Sequence, residues 1–233
     1  MTAYFVTGTD TDAGKTLVAS GLLALARRRD LTTLGLKPVA SGCDNTPRGL
    51  RNIDALTLQA QSEPATAYTT INPYAYAPAV APHLAARRAG KIPTLDALIE
   101  HVAEPLAEKR DLTLIEGAGG WRVPLNDTED LAGLAVRLDL PVILVVGLKL
   151  GCLNHARLSA EAIRTDGLPL VGWVGNLIDP GLSFDAACYR DNLATLERTL
   201  DAPCLGIVPR LVADTPAARA AAAADYLALP GDA

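Results

Sequence analysis

The sequence predicts an α/β fold with a mainly parallel central sheet and helices on both faces. First, short apolar runs alternate with longer segments of helical composition along most of the chain, as is typical of βαβ units. Second, several of these runs are apolar throughout, which is typical of strands buried on both sides. Third, the loops richest in glycine and polar residues directly follow the runs. The 233 residues are predicted to form one domain, residues 1–233.

Six strands are predicted from apolar runs with clear ends. The first run ends at Gly8, Pro38 stops the second, and Glu116 with a glycine-rich stretch follows the third. Pro141 and Gly147 bound the fourth run, and the last two are short. In chain order, the predicted strands are residues 4–7, 33–37, 112–115, 142–146, 170–174 and 205–208.

Helices are predicted from length and from alanine and leucine content. They cover residues 17–29, 153–164 and 189–200, and an alanine-rich stretch at 217–224 also permits a helix. Residues 62–90 are rich in proline and tyrosine and are predicted to be an inserted irregular segment. Long irregular segments in compact domains are often functional.

Charge and cysteine content exclude several classes of function. The formal net charge of −5 argues against non-specific nucleic-acid binding and against an anionic membrane surface. The four cysteines lie far apart without a Cys-x-x-Cys pair, which indicates reduced thiols. No basic and apolar leader opens the sequence, and no apolar run approaches about 20 residues. A cytoplasmic protein without nucleic-acid or membrane partners is therefore expected.

The stretch GTDTDAGKT, residues 8–16, has the composition of a phosphate-binding loop between a strand and a helix. Backbone N–H groups of such a loop point at one site, and the helix N-terminus adds positive potential there. Lys15 would reach the outer phosphates, and the Thr16 hydroxyl would bind Mg²⁺. Five residues separate Gly8 from Gly14, one more than the usual four. The alternative is an ordinary helix start with Thr and Asp caps.

Two acidic residues could complete a metal site, and a second lysine could face it. Glu116 ends an apolar run, Asp54 lies at a predicted helix start, and Mg²⁺ prefers a few carboxylates with phosphate oxygens and water. Alternatively, Glu116 is a solvent-exposed acid and Asp54 only complements the helix dipole. Lys37 ends a buried strand and could stabilise charge in phosphoryl transfer. Its alternative is an edge lysine whose ammonium reaches solvent.

Six motifs in order resemble those of the dethiobiotin synthetase family. They are YFVTGTDTDAGKT, LGLKPVASG, GLRNIDALTLQ, LIEGAGGW, LPVILVVGLKLGCLNHARLS and GWVGN. The resemblance covers nearly the whole chain and includes the longer phosphate loop. It implies a homodimer of P-loop NTPase type that converts 7,8-diaminononanoate, CO₂ and ATP, with Mg²⁺, into dethiobiotin, ADP and phosphate.

The resemblance also implies roles for individual residues. Lys37, Lys15 and Thr11 would be catalytic, and Thr16, Asp54 and Glu116 would hold Mg²⁺. The cofactor-binding residues would be Asp12, Ala13, Gly14, Lys15, Thr16, Asp54, Glu116, Gly117, Ala118, Gly119, Asn176, Pro209, Arg210 and Leu211. The substrate-binding residues would be Ser41, Gly151, Cys152, Leu153, Asn154 and Tyr189.

Within these sets, some contacts are implied more closely. Asn176 would contact the adenine edge, and the loop at residues 209–211 would close over the base. The substrate carboxylate would bind at residues 151–154 with Tyr189, supplied across the dimer interface. The family often has Glu where Asp12 stands and Val where Ala13 stands.

Three other functions are alternatives. A regulatory ATPase of the partition or cell-division type usually carries a further lysine early in the loop, where this chain has Thr9 and Asp10. An amidotransferase-linked synthetase would need a glutaminase domain, for which the chain has no room. A nucleotide-binding module without catalysis is disfavoured by Lys37 and Asp54.

Overall fold

A six-stranded parallel sheet forms the centre of the molecule. The computed structural model describes residues 2–183 and 185–232. In chain order, the strands there are β1 (Thr2–Gly8), β2 (Thr33–Leu36), β3 (Val39–Ala40), β4 (Asp44–Thr46), β5 (Gly49–Arg51), β6 (Tyr74–Ala75), β7 (Leu112–Gly120), β8 (Val142–Leu148), β9 (Leu170–Leu177) and β10 (Cys204–Val208). The strand order in the central sheet is β10-β9-β8-β1-β7-β2. Strands β3 and β6 form a small parallel pair, and β4 and β5 form a hairpin.

The helices pack on both faces of the central sheet. They are α1 (Lys15–Arg27), α2 (Ile53–Ala60), α3 (Tyr68–Ile71), α4 (Pro82–Ala89), α5 (Leu95–Ala107), α6 (Ala132–Arg137), α7 (Cys152–Thr165), α8 (Ala186–Leu200) and α9 (Pro216–Ala224), with a 3-10 turn at Pro180–Ser183. No helix within residues 2–183 and 185–232 is long and apolar enough to cross a membrane.

Alternate side chains of β1 enter two different apolar cores, as strand geometry requires. Tyr4 and Val6 pack with residues of α1 and α9, such as Leu22 and Ala223. Phe5 packs on the other face with residues of α5, α6, α7 and α8. This arrangement confirms the predicted parallel sheet with helices on both faces.

Three details of the sequence prediction were wrong. Helix α1 begins at Lys15, two residues before the predicted start, because Gly14 takes a left-handed conformation with φ 95° and opens the helix. Strand β7 continues to Gly120, so Glu116 lies inside the strand, where it pairs with Val6 of β1. Residues 62–90 are not wholly irregular, since they contain α3, β6 and α4.

The loops of interest meet at one edge of the sheet. Strands β7 and β8 flank β1 on its two sides, so the loops that follow these three parallel strands leave the sheet at the same edge. Ligands of open parallel sheets bind at such an edge. This topology brings the phosphate loop next to residues from the second half of the chain.

Candidate active site

The phosphate loop connects β1 to α1, and two of its residues have a left-handed backbone conformation. Asp12 and Gly14 both have positive φ, 61° and 95°. A Cβ atom on Gly14 would lie 2.0 Å from Nδ2 of Asn176, so only glycine fits there. Gly14 caps α1 without a side-chain hydrogen bond. The N–H groups of the first helical turn are therefore available to an anion.

Lys15 is folded back onto its own loop. Its Nζ donates to the Asp10 carbonyl oxygen at 2.9 Å, and the residue is 7% exposed. Burial, and then repulsion from Lys37, lowers the pKa of Lys15 to about 8, against opposing attraction from Glu116 and two other acids. The cationic form is therefore less stable here than in water, and an anion bound beside it would stabilise it.

The carboxylate of Glu116 is the meeting point of three segments. Thr16 Oγ1 donates to Glu116 Oε1 at 2.8 Å, and Lys37 Nζ donates to the same oxygen at 2.5 Å. Lys37 Nζ also donates to the Gly117 carbonyl oxygen at 3.0 Å and lies 3.4 Å from Asp54 Oδ2. The structure thus brings together the residues predicted to act on metal and phosphate.

Lys37 is not an edge lysine that reaches solvent, because the residue is only 4% exposed. Burial by itself lowers its pKa, but attraction to Glu116 and Asp54 outweighs burial and raises the pKa. Lys37 is therefore a buried cation next to the phosphate loop. Its predicted catalytic role remains a prediction.

The donor set around Glu116 fits a divalent cation. Glu116 is 1% exposed, yet its Oε2 atom is buried without a hydrogen-bond partner. A buried carboxylate oxygen needs a partner, and a cation bound between Thr16, Asp54 and Glu116 would supply one. Within the described residues no group of three or more His, Cys, Asp or Glu side chains could hold a metal. Phosphate oxygens and water would therefore complete the coordination, which is typical of Mg²⁺.

A cavity of about 800 Å³ opens over these groups. Its lining residues are Thr11, Asp12, Gly14, Lys15, Thr16, Lys37, Ala40, Ser41, Gly42, Asn52, Ile53, Asp54, Ala79, Val80, Ala81, Pro82, Glu116, Ala118, Gly119, Val123 and Pro124. Pockets for small molecules commonly have about 300–1,000 Å³. Of the residues predicted from the sequence, the cavity brings together the catalytic set, the metal set, Ser41 and four more of the cofactor-binding set, namely Asp12, Gly14, Ala118 and Gly119.

The residues predicted at the adenine side lie behind the phosphate loop. Asn176 is 6% exposed, and its Nδ2 donates to the Ala13 carbonyl oxygen at 3.0 Å. Asn176 pairs with Val208 at the end of β10, so Pro209, Arg210 and Leu211 continue from the neighbouring strand. Neither Asn176 nor these three residues line the 800 Å³ cavity, and Ala13 and Gly117 are buried outside it.

The residues predicted for the substrate carboxylate do not reach this cavity within one chain. Gly151 caps α7 with φ 93° and no side-chain cap, Cys152 is buried, and Asn154 is exposed. Leu153 lines a separate pocket of about 370 Å³ with residues of α8. Tyr189 is half-buried and packs against the core.

Sequence reasoning missed two contacts around the site. The carboxylate of Asp10 forms an ion pair with Lys149, which joins the phosphate loop to the turn before α7. Asn52 caps α2, accepting from the Asp54 N–H at 3.0 Å, and its Nδ2 donates to the Ser41 carbonyl oxygen at 3.2 Å. An asparagine two residues before Asp54 is a recognisable helix cap, so the sequence carried a signal for this contact.

The fold and the loop geometry define a nucleoside-triphosphate-binding protein of the P-loop class. The model of the family described as AAA domain matches residues 2–217.

Among known proteins, one named ATP-dependent dethiobiotin synthetase BioD from Chromohalobacter salexigens is 86% identical over 237 aligned residues, covering 100% of both chains. A protein of the same name from Pseudomonas aeruginosa (strain UCBPP-PA14) is 60% identical over 221 residues, covering 95% of each. The chain belongs to the ATP-dependent dethiobiotin synthetase family, which is a family of enzymes. The resemblance inferred from the motifs is confirmed.

Solved structures with a similar fold are much more distant in sequence. The cell division protein MinD of Aquifex aeolicus has a TM-score of 0.56 at 13% identity, over 91% of this chain and 83% of that chain. A ParA family ATPase from Chlorobium tepidum TLS has a TM-score of 0.55 at 12% identity, over 90% and 85%. At such identity the likeness concerns the fold alone. The regulatory-ATPase alternative has no support beyond it.

Proposed function

We propose that this enzyme makes dethiobiotin from 7,8-diaminononanoate, CO₂ and ATP, as a step of biotin biosynthesis. The observation that carries the proposal is the meeting of Thr16, Lys37 and Glu116 at one carboxylate oxygen beside the phosphate loop. That cluster lies in a chain 86% identical to a protein named for this activity.

The phosphate loop and α1 would bind the nucleotide. The uncapped first turn of α1 supplies backbone N–H groups, and Lys15 would leave the Asp10 carbonyl oxygen to reach the outer phosphates. Moving onto a phosphate would bring an anion next to the buried ammonium, which would offset the burial that lowers its pKa. Asn176 with residues 209–211 would contact the base from behind the loop.

Thr16, Asp54 and Glu116 would hold Mg²⁺. When bound, the metal would neutralise charge on the phosphate oxygens. The Oε2 atom of Glu116, buried without a hydrogen-bond partner, supports this assignment, and so does the exposed part of Asp54, whose side chain is 38% accessible.

The bond changes can be written in three balanced steps. One amine of the substrate adds to CO₂ and loses a proton, forming a carbamate. A carbamate oxygen then bonds to the γ-phosphorus of ATP while the bond to the β,γ-bridging oxygen breaks and ADP leaves. The second amine attacks the activated carbonyl carbon, phosphate leaves with its bonding electron pair, and a proton is lost as the ureido ring closes.

Lys37 would act on the second of these steps. As a cation held at the wall of the cavity, it would lie between the carbamate and the γ-phosphate and stabilise charge as the phosphoryl group moves. Because hydrogen bonds to Glu116 and Gly117 already fix the position of its ammonium, the Lys37 side chain would need little reorganisation during the reaction. Thr11 and Ser41, which line the cavity, would lie near the diamine and the carbamate.

The carboxylate end of the diamine would bind at residues 151–154 with Tyr189 of a second subunit. These residues do not line the cavity of their own chain, and the uncapped α7 N-terminus suits an anion. The working enzyme would then be a homodimer with a site shared across the interface. We further expect it to act in the cytoplasm without nucleic-acid or membrane partners.

The test is a mass-resolved assay for ureido-ring formation. Purified enzyme is supplied with the diamine, ¹³C-bicarbonate, MgCl₂ and each nucleoside triphosphate in turn. The expected product is dethiobiotin that carries one labelled carbon, formed with one phosphate released per ring. ATP hydrolysis at a rate that does not depend on the diamine, with no labelled product formed, would contradict the proposal.

A further inference from the structure

The segment that contains α3 carries polar side chains buried beneath the cavity rather than in its lining. Tyr68, the first residue of α3, is 9% exposed, and Asn72, directly after α3, is 4% exposed. Neither lines the cavity. Buried polar groups are usually hydrogen-bonded, and the partners of these two indicate what the segment supports.

A continuous set of hydrogen bonds runs from Asn52 to Lys37. The Asn52 N–H donates to Tyr68 Oη at 2.8 Å, and the Tyr68 hydroxyl donates to Asn72 Oδ1 at 3.0 Å. Asn72 Nδ2 in turn donates to the Lys37 carbonyl oxygen at 2.7 Å. The Lys37 N–H donates to the Ile71 carbonyl oxygen at 2.9 Å. Both backbone polar groups of Lys37 are therefore held by the end of α3.

The other end of this set contacts two further residues that line the cavity, Ser41 and Asp54. Asn52 caps α2 through its Oδ1, which accepts from the Asp54 N–H, and its Nδ2 donates to the Ser41 carbonyl oxygen. Three segments of the chain meet here through one pair of asparagines and one tyrosine. Two of these segments carry side chains that line the cavity: Lys37 and Ser41 lie on one segment, and Asp54 lies on the other.

We propose that Tyr68, together with Asn52 and Asn72, is a positioning residue that sets the distance between Lys37 and Asp54, a role that rests on the function proposed above. We call these three side chains the Tyr68 network. Phosphoryl transfer depends on placing charges accurately. Lys37 and Asp54 lie on separate segments whose backbones this network joins.

Tyrosine is required at this position because its hydroxyl accepts one hydrogen bond and donates another. Burial raises the pKa of Tyr68, which keeps the hydroxyl protonated and able to donate. The Arg51 guanidinium lies 4.2 Å from the centre of the Tyr68 ring and makes a cation–π contact with it. Phenylalanine would fit the same space but would leave the Asn52 N–H and Asn72 Oδ1 without this partner.

Tyr76 provides a matched control on the same segment. It is 1% exposed, and its hydroxyl donates to the Lys91 carbonyl oxygen at 2.6 Å. Tyr76→Phe therefore removes one buried tyrosine hydroxyl with its one hydrogen bond, whereas Tyr68→Phe removes a hydroxyl that makes two. It leaves the partners of Lys37 and Asp54 unchanged.

The experiment compares single-turnover phosphate release, binding of ATP and of diamine by isothermal titration, and urea unfolding. Tyr68→Phe should slow phosphate release by about 10- to 100-fold, the usual effect of a small misplacement or a lost supporting contact. Affinities for ATP and diamine should change much less than the rate, since their main contacts remain. Tyr76→Phe should also lose some stability, while keeping a rate within about twofold of wild type.

The Asn72→Ala variant removes the hydrogen bond from Asn72 to the Lys37 carbonyl oxygen, which is the last one of the Tyr68 network. It provides the test if Tyr68→Phe does not fold. It should also slow phosphate release. The fold-decrease in rate of the double variant should be smaller than the product of the fold-decreases of the two single variants. Wild-type phosphate release in either folded variant, or equal slowing by Tyr68→Phe and Tyr76→Phe, would overturn the inference. A wild-type enzyme that forms no ureido ring would instead overturn the proposed function.

Discussion

Replacing Lys37 by glutamine should affect stability and rate by amounts that the structure allows to be estimated separately. The substitution removes the ammonium that lies 2.5 Å from Glu116 Oε1 and 3.4 Å from Asp54 Oδ2. Glu116 is 1% exposed, so its charge would be left buried without its ion-pair partner. The side chain of Asp54 is 38% accessible, so water screens its part of the interaction.

The expected loss of stability follows from the Glu116 partner. Removing one member of a buried ion pair costs about 3–5 kcal/mol. For a chain of this size that corresponds to a melting temperature lower by about 6–20 °C. Mg²⁺ bound at Glu116 would replace the missing positive charge, so adding MgCl₂ should restore part of the loss in Lys37→Gln.

The expected loss of rate follows from the place of Lys37 beside the phosphate loop. Losing one preorganised charge typically costs about 3–4 kcal/mol, or about 10²–10³ in rate. Lys15 and the α1 N-terminus remain in the variant, so the affinity for ATP should fall much less than the rate of phosphate release.

The assay combines thermal unfolding with and without MgCl₂, titration of ATP and diamine, and single-turnover phosphate release. Lys109→Gln is the control, since it also removes a lysine charge, but from an exposed residue; its effect should stay within about 0.5 kcal/mol. The double variant Lys37→Gln/Glu116→Gln should lose less stability than the two single variants lose in total. A folded Lys37→Gln protein with wild-type phosphate release would refute the reasoning.

Three further outcomes are expected. Lys15→Ala should lose nucleotide binding and turnover together, because the residue sits at the α1 N-terminus; ATP turnover near the wild-type level would contradict the phosphate-loop assignment. Removing the carboxylate of Asp54 or Glu116 should raise the MgCl₂ concentration for half-maximal activity, and removing both should be less than additive; an unchanged magnesium dependence in Glu116→Gln would count against a shared metal site. Mixing inactive Lys37→Ala and Asn154→Ala proteins should restore part of the activity in heterodimers; no recovery in confirmed heterodimers would mean that each site is built within one chain.

Local patterns were enough to predict the fold class. Uniformly apolar runs such as residues 142–146 predict strands with helices above and below, and β8 (Val142–Leu148) is buried along its whole length. Similarly, the Gly-Lys-Thr sequence after the first strand predicts a phosphate loop, because glycine conformation and a helix start are local properties. Element ends were less accurate, since β7 continues beyond Glu116 only because β1 pairs with it as far as Gly120.

Segment 62–90 shows where local patterns fail. Its prolines and tyrosines carry no clear period, and it was predicted to be irregular. In the structure, Tyr68 and Asn72 are ordered by partners outside the segment, at Asn52 and Lys37. Hydrogen bonds between distant segments leave no periodic signal in either one.

By itself, the sequence determined the class of the fold, the phosphate loop and the set of acidic and basic residues around it. It could not decide whether Lys37 is an exposed edge lysine or a buried cation, nor whether Glu116 faces water. Those properties depend on contacts between residues far apart in the chain: Lys37 and Glu116 are 79 positions apart, and Thr16 and Glu116 are 100. The tertiary structure decided them because burial and charge pairing, which set the pKa of Lys37, exist only once β1, β2 and β7 lie side by side.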